Sequence, residues 1–172
     1  MPGTVLSGRY QLDQLRVESA GSSTGVLQYD ATDLSSLEAI SVRIVALSQL
    51  IDPALGSTTP DDALAAFEQQ FDIASSLRHP CIESVLDHGE VTLEGERYVF
   101  VVGERLAGGS LREFLDRGRR LTPSQALIVG IDICRALDAA AKQGISHSDL
   151  RPSRLVFGLD RRVRLVGFGA PL

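Results

Sequence analysis

Two short stretches concentrate the side chains able to do chemistry: Ile145-Ser-His-Ser-Asp-Leu-Arg-Pro-Ser-Arg-Leu-Val-Phe157 and Val163-Arg-Leu-Val-Gly-Phe-Gly169. Asp149 is a carboxylate able to accept a proton from a hydroxyl group. Arg151 and Arg154, two and five residues further on, carry guanidinium forks that can hold an anion or pair with a carboxylate such as Asp149. These stretches therefore point to anion or ion-pair chemistry.

The elements that must position them can be read from periodicity and capping. Residues 9 to 47 carry three β-leaning runs, RYQLDQLRV, GVLQYD and AISVRIVAL, separated by the Gly/Ser stretch Ala20 to Gly25 and by Asp33 to Glu38, which predicts an antiparallel meander. A helix is predicted over 59 to 78, with Thr59 as N-cap, Pro60 in the first helical position, Asp61 and Asp62 at the positive end of the dipole, and Leu64, Phe67, Phe71, Ala74 and Leu77 as the buried face. Two further strands, Ile82 to His88 and Arg97 to Val102, are joined by a turn containing Gly95. A short helix starts at Ser110 with Glu113 completing a capping box and Gly118 as its stop. The last helix runs from Thr122-Pro123 to about Lys142; Leu127, Ile131, Cys134, Leu137 and Ala141 are expected to face a core, and Asp132, Arg135 and Lys142 to face water.

Composition bounds the function classes. The chain has 172 residues, 44% hydrophobic and 23% charged, enough for one sizeable core. A net charge of -5 and a pI near 5.2 argue against broad binding of a phosphate backbone, so no nucleic-acid partner is expected. Cys81 and Cys134 lack metal-ligand spacing, and Cys134 falls in an apolar helical run where a buried thiol is expected. The start, MPGTVLSGRYQL, lacks a signal-peptide pattern and no apolar run is long enough to span a bilayer, so a cytoplasmic, reducing setting is expected.

In order and motif, the chain resembles the bacterial eukaryotic-like serine/threonine protein kinases. The anchors are LSGRYQL at the start, ATDL at 31 to 34, LRHPCIESVLDHG at 77 to 89, ERLAGGSLREFL at 104 to 115 and GISHSDLRPSRLVF at 144 to 157. The resemblance implies an α+β fold: a five-stranded antiparallel small lobe with one long helix over residues 1–103, and a hinge with a truncated helical large lobe over 104–172. It aligns HSDLRPSR with the family's HRDxKxxN loop and GFG with DFG. Asp149 then stands at the catalytic base, while Arg154 and Gly167 stand where the family keeps its magnesium ligands.

The same alignment implies a degenerate nucleotide pocket. Gly21 and Gly25 remain from the glycine-rich loop, Ser41 faces the adenine position, and Arg43 replaces the phosphate-binding lysine. Gln70 replaces that lysine's glutamate partner, Glu104 to Leu106 form the hinge, and Val156, Arg151 and Arg154 complete the lining. Val85, Ala74, His147 and Phe168 match the family's stacked scaffold residues. Arg43, Arg151 and Arg154 are expected to converge, either as a metal-free anion site or paired with Asp149 and other carboxylates.

The expected function is a pseudokinase serving as a regulatory or protein-binding module, with no cofactor beyond weak metal-independent nucleotide binding. The alternatives are a divergent active serine/threonine kinase and a small-molecule phosphotransferase fragment, whose HGDxxxxN loop HSDLRPSR also resembles. Since the chain ends just after GFG, the flank of the 123–142 helix around Ile128, Ile133 and Leu137 is expected to be exposed and to bind a protein partner or a second copy.

Overall fold

The structure, a computed structural model, describes residues 1–16, 25–52, 57–147 and 149–168. It divides into two compact units, one built from Met1–Asp72 with Val85–Arg105, the other from Ile73–Ser84 with the described chain from Leu106 to Phe168. The first unit holds fifteen of the 22 acidic residues and only five of the 17 basic ones.

The first unit is an antiparallel sheet of five long strands, as expected, with a two-residue edge strand added. β1 is Val5–Leu6, β2 Tyr10–Arg16, β3 Leu27–Asp33, β4 Glu38–Ala46, β5 Val85–Leu93 and β6 Glu96–Glu104, in the order β1-β2-β3-β4-β6-β5. β4 lies in the middle and is buried from Ile40 to Ala46, so its polar Ser41 and Arg43 are enclosed. The β5–β6 turn needs two residues of positive φ, which Glu94 (52°) and Gly95 (86°) supply. Gly89 has to be small, because a Cβ there would lie 2.7 Å from the Phe100 ring. Leu6, Tyr10, Leu12, Tyr29, Ala31, Ile40, Val42, Ile44, Phe100 and Val102 form the core of this unit.

Helix α1 (Pro60–Ser76) begins as its sequence dictates: the Thr59 hydroxyl accepts the Asp62 N–H at 3.2 Å and the Asp62 carboxylate accepts the Thr59 N–H at 2.9 Å. These bonds to Thr59 and Thr58 hold the Asp62 carboxyl below its ordinary range. Phe67, Ala74 and Leu77 are buried as expected; Leu64 and Phe71 are half-buried and Ala63 takes a place inside.

The second unit contains α2 (Leu111–Asp116), α3 (Pro123–Ala141) and a hairpin of β7 (Leu155–Phe157) and β8 (Val163–Leu165). Both helices start with complete capping boxes, Ser110 with Glu113 and Thr122 with Gln125. Gly118 (φ 71°) follows α2 and Gly144 (φ 73°) follows α3. The core joins Val129, Ala136 and Ala140 of α3 to Leu77, Cys81, Ile82 and Leu111 and to Leu155, Val163 and Leu165 of the hairpin.

The face of α3 differs from the expected one. Leu127, Ile131, Cys134 and Ala141 are exposed, Leu137 is half-buried, and Asp132, expected in water, is 1% exposed. Ile133 and Leu137 pack against the core, so of the flank expected to be free only Ile128 is exposed. The buried thiol is Cys81, not Cys134. The physical reason is that α3 carries two apolar stripes, and the one with small residues at 136 and 140 admits the hairpin closely. Asp132 lies on that stripe because Arg162, from the hairpin turn, grips it bidentately, with Nε donating to Oδ2 at 2.8 Å and Nη2 to Oδ1. Arg135 stands 3.9 Å away, and the Cys81 thiol adds a hydrogen bond.

The Arg162 hydrogen bond lowers the Asp132 pKa against the upward push of burial. A carboxyl depressed in the folded state stabilises the fold above its unfolded pKa of about 3.9, and that contribution is lost as pH falls through the lower folded value. Arg162→Ala, which leaves the buried Asp132 carboxylate without its bidentate partner, is expected to destabilise the protein by about 3 kcal/mol at neutral pH, measured by urea denaturation, and to move the acid-unfolding midpoint to higher pH.

Candidate functional site

The second unit brings together four of the residues singled out in the sequence. A 3-10 turn, Pro152–Arg154, precedes β7, with the Arg154 N–H donating to the Arg151 carbonyl at 2.8 Å. The Arg154 carbonyl accepts the Val166 N–H at 2.9 Å, which places the turn beside the strand end leading to Gly167. Both guanidinium groups then close on one carboxylate oxygen: Asp149 Oδ2 is 3.0 Å from Arg151 Nε and 3.1 Å from Arg154 Nε. Arg154 is the most enclosed of the three, its side chain 17% exposed against 47% for Asp149 and 52% for Arg151.

Gly167 has φ +87°, and a Cβ built on it would lie 3.1 Å from Arg154 Nη1 and 3.3 Å from its Cζ. The arginine thus lies against the space that any side chain at 167 would enter. His147 braces the loop from behind. Its Nε2 lies 3.0 Å from the Val166 carbonyl, its Nδ1 is 3.3 Å from the Asp149 N–H, and its ring meets Phe168 edge-on at 4.6 Å. These contacts require the tautomer with the proton on Nε2. Val156 lies in β7, bridged to Ser110 and half-buried, and Gly108 is fixed as glycine by the Phe157 carbonyl, 2.6 Å from where a Cβ would be. Leu106 is 6% exposed.

The first unit holds the other candidates. Ser41 is buried and its hydroxyl accepts the Gln28 side-chain amide at 3.0 Å, so it is already engaged. Arg43 is 9% exposed, on the same strand and paired in register with Gln28. Gln70 lies on α1, and its buried Oε1 has no hydrogen-bond partner. Glu68 and Asp72 of that helix are exposed. Glu104 is half-buried at the end of β6. Gly25 has φ +61°, with the Gln49 side-chain tip where a Cβ would go, and Gly21 lies outside the described residues.

Of the three arginines expected together, Arg151 and Arg154 share Asp149, and Arg43 belongs to the first unit. The donor set does not fit a magnesium ion: at 154 and 167 stand a cation and a glycine, and among the described residues no three His, Cys, Asp or Glu side chains group as metal ligands. One feature escaped sequence reasoning, the Asp132–Arg162 pair, although an acidic residue set among apolar ones at core spacing is its signal. The meeting of His147 with Phe168 agrees with the stacked residues named from the resemblance, while the bonds of His147 to Val166 and Asp149 have no local pattern to announce them.

Comparison with known proteins converges on one family. The profile of the protein tyrosine and serine/threonine kinases matches residues 49–171. A probable serine/threonine-protein kinase of Streptomyces coelicolor is 30% identical over 95% of this chain and 23% of its own length. The probable serine/threonine-protein kinase PknB of Corynebacterium glutamicum is 28% identical over 96% of this chain and 24% of its own. PknB of Mycobacterium tuberculosis is 27% identical over 95% and 24%. The chain thus spans about a quarter of the length of these relatives.

The orphaned acceptor of Gln70 gives a direct check on the first unit. A buried carbonyl without a donor costs about 1–3 kcal/mol, so Gln70→Met, which keeps the shape and drops the orphan, is expected to leave stability unchanged or raise it by about 1 kcal/mol. Thermal and urea melts of the variant measure this.

Proposed function

The chain belongs to the protein tyrosine and serine/threonine kinase family, and from that premise we propose that it is a kinase-like domain that transfers no phosphate and serves as a regulatory or protein-binding module. The observation that carries the reading is the state of Asp149. Arg151 and Arg154 both hold its Oδ2, so this carboxylate is tied to two guanidinium groups of its own loop, and the side chains at 154 and 167 supply no oxygen ligand for a metal. Phosphoryl transfer rests on charge stabilisation by metal and lysine, and the loss of one such part can cost on the order of a thousandfold in rate. In this chain Arg154, Gly167, Arg43 and Gln70 stand at the positions of two metal ligands, the lysine and its glutamate.

Binding replaces catalysis in this reading. The outward face of α3 presents Leu127 at 66%, Ile128 at 49% and Ile131 at 41% exposure, with Cys134 beside them. A contiguous apolar face of this kind is the surface proposed to meet a protein partner or a second copy. A cytoplasmic setting is part of the proposal; no described helix is long and apolar enough to cross a membrane.

Radiolabelled ATP with magnesium or manganese is expected to give only background incorporation into the protein itself and into generic substrates. Metal-dependent incorporation that disappears in Asp149→Ala overturns the reading. For the binding surface, sedimentation at micromolar concentration is expected to show association that Leu127→Glu with Ile131→Glu abolishes; a clean monomer before and after the substitutions removes α3 as the contact face.

A further inference from the structure

We infer that Arg154 is a built-in monovalent cation that takes the place of the divalent metal, with Gly167 as the vacancy that admits it. The inference rests on the kinase-like reading for the identity of the two positions and on geometry for everything else. Four observations converge. The backbone of Arg154 is tied on both sides, to Arg151 and to Val166, so its Cα is fixed beside Gly167. Its Nε pairs with Asp149 at 3.1 Å. Its Nη1, Cζ and Cδ lie 3.1, 3.3 and 3.4 Å from where a Cβ at 167 would sit. And its side chain is only 17% exposed, although the residue lies in a loop segment.

An enclosed guanidinium needs a counter-charge, and Asp149 provides it. An enclosed carboxylate at 167 would compete for the same guanidinium, so Arg154 and Gly167 make sense as a pair. A glycine at 167 without Arg154 would leave Asp149 with the half-exposed Arg151 alone; an arginine at 154 with a side chain at 167 would be crowded. Together they satisfy the carboxylate from within the chain. The loop then holds its shape with no dissolved ion, whatever the magnesium concentration.

The test uses Mn²⁺ as the probe and the full chain in four forms: unaltered, Gly167→Asp, Arg154→Asn and the double variant. Aspartate is among the residues least penalised at positive φ, and at +87° the Gly167→Asp backbone is strained, so circular dichroism and melting of each variant accompany the binding measurement. Paramagnetic resonance of free Mn²⁺ is expected to show no saturable site through the millimolar range in the unaltered protein. None is expected in Gly167→Asp, where the new carboxylate closes on Arg154, and one site is expected in the double variant.

Saturable binding by the unaltered protein overturns the inference. So does Gly167→Asp binding as tightly as the double variant, or a double variant that circular dichroism shows folded and that binds none. If the double variant does not fold, Arg154→Ala decides: millimolar methylguanidinium should raise its melting temperature while leaving the unaltered protein's unchanged, and no rescue overturns the inference. A phosphotransfer assay on the unaltered protein reports separately on the pseudokinase reading, because an active enzyme without an Mn²⁺ site and an inactive one with a site are distinct results.

Discussion

The second unit depends on one ion pair that reaches a buried carboxylate. Asp132, 1% exposed in the middle of α3, would be untenable among Val129, Ala136 and Ala140 without a partner, and Arg162 is the residue that supplies it. The pair fixes the β7–β8 hairpin on the helix, and the hairpin in turn sets the two segments that flank it. Arg154 leads into β7 and Val166 to Phe168 follow β8, so the spacing between the Asp149 cluster and Gly167 is inherited from the hairpin register Leu155 to Leu165. Isosteric apolar replacement of such a pair can be neutral, but loss of one partner is not. The geometry of the site is therefore coupled to a contact on a different side of the hairpin.

The side chains at the candidate positions are mutually consistent. A guanidinium at 154 meets a carboxylate at 149 and an empty side-chain position at 167. At Ser41 the added hydroxyl is satisfied by Gln28, so a polar atom in a buried strand carries no penalty. Gln70 is the exception, where a neutral amide leaves its oxygen unpaired. Among the described residues the other buried side-chain atoms without a hydrogen-bond partner are Ser57 Oγ and His88 Nδ1, an ordinary number for a folded chain.

Much of the architecture was legible in the sequence for local reasons. The caps at Thr59, Ser110 and Thr122 mark helix starts through a side chain and a backbone N–H three residues away, so a short window contains the whole interaction. Strands β2 to β6 could be placed from β-rich runs and from Gly95. The orientation of α3 was not legible, because both of its stripes are apolar and the choice between them is made by Arg162, thirty residues away. At the site the residue types were readable, and so was the pairing of arginines with Asp149; the tight approach of Arg154 to Gly167 was not, since it depends on the hairpin bringing 154 and 166 together.

The uneven sharing of charge noted for the first unit has its counterpart in the second, which holds twelve of the 17 basic residues and seven of the 22 acidic ones. A whole-chain net charge of -5 is thus the difference between an acidic sheet and a basic helical unit. In polyelectrolyte terms each unit carries its own self-repulsion and gathers its own counterions, cations around one and anions around the other. Screening within about 10 Å at 0.1 M salt relieves both. The two ions of a dissolved salt therefore act on different parts of this molecule, and changing chloride to sulfate at constant ionic strength addresses the helical unit, while changing sodium to another cation addresses the sheet.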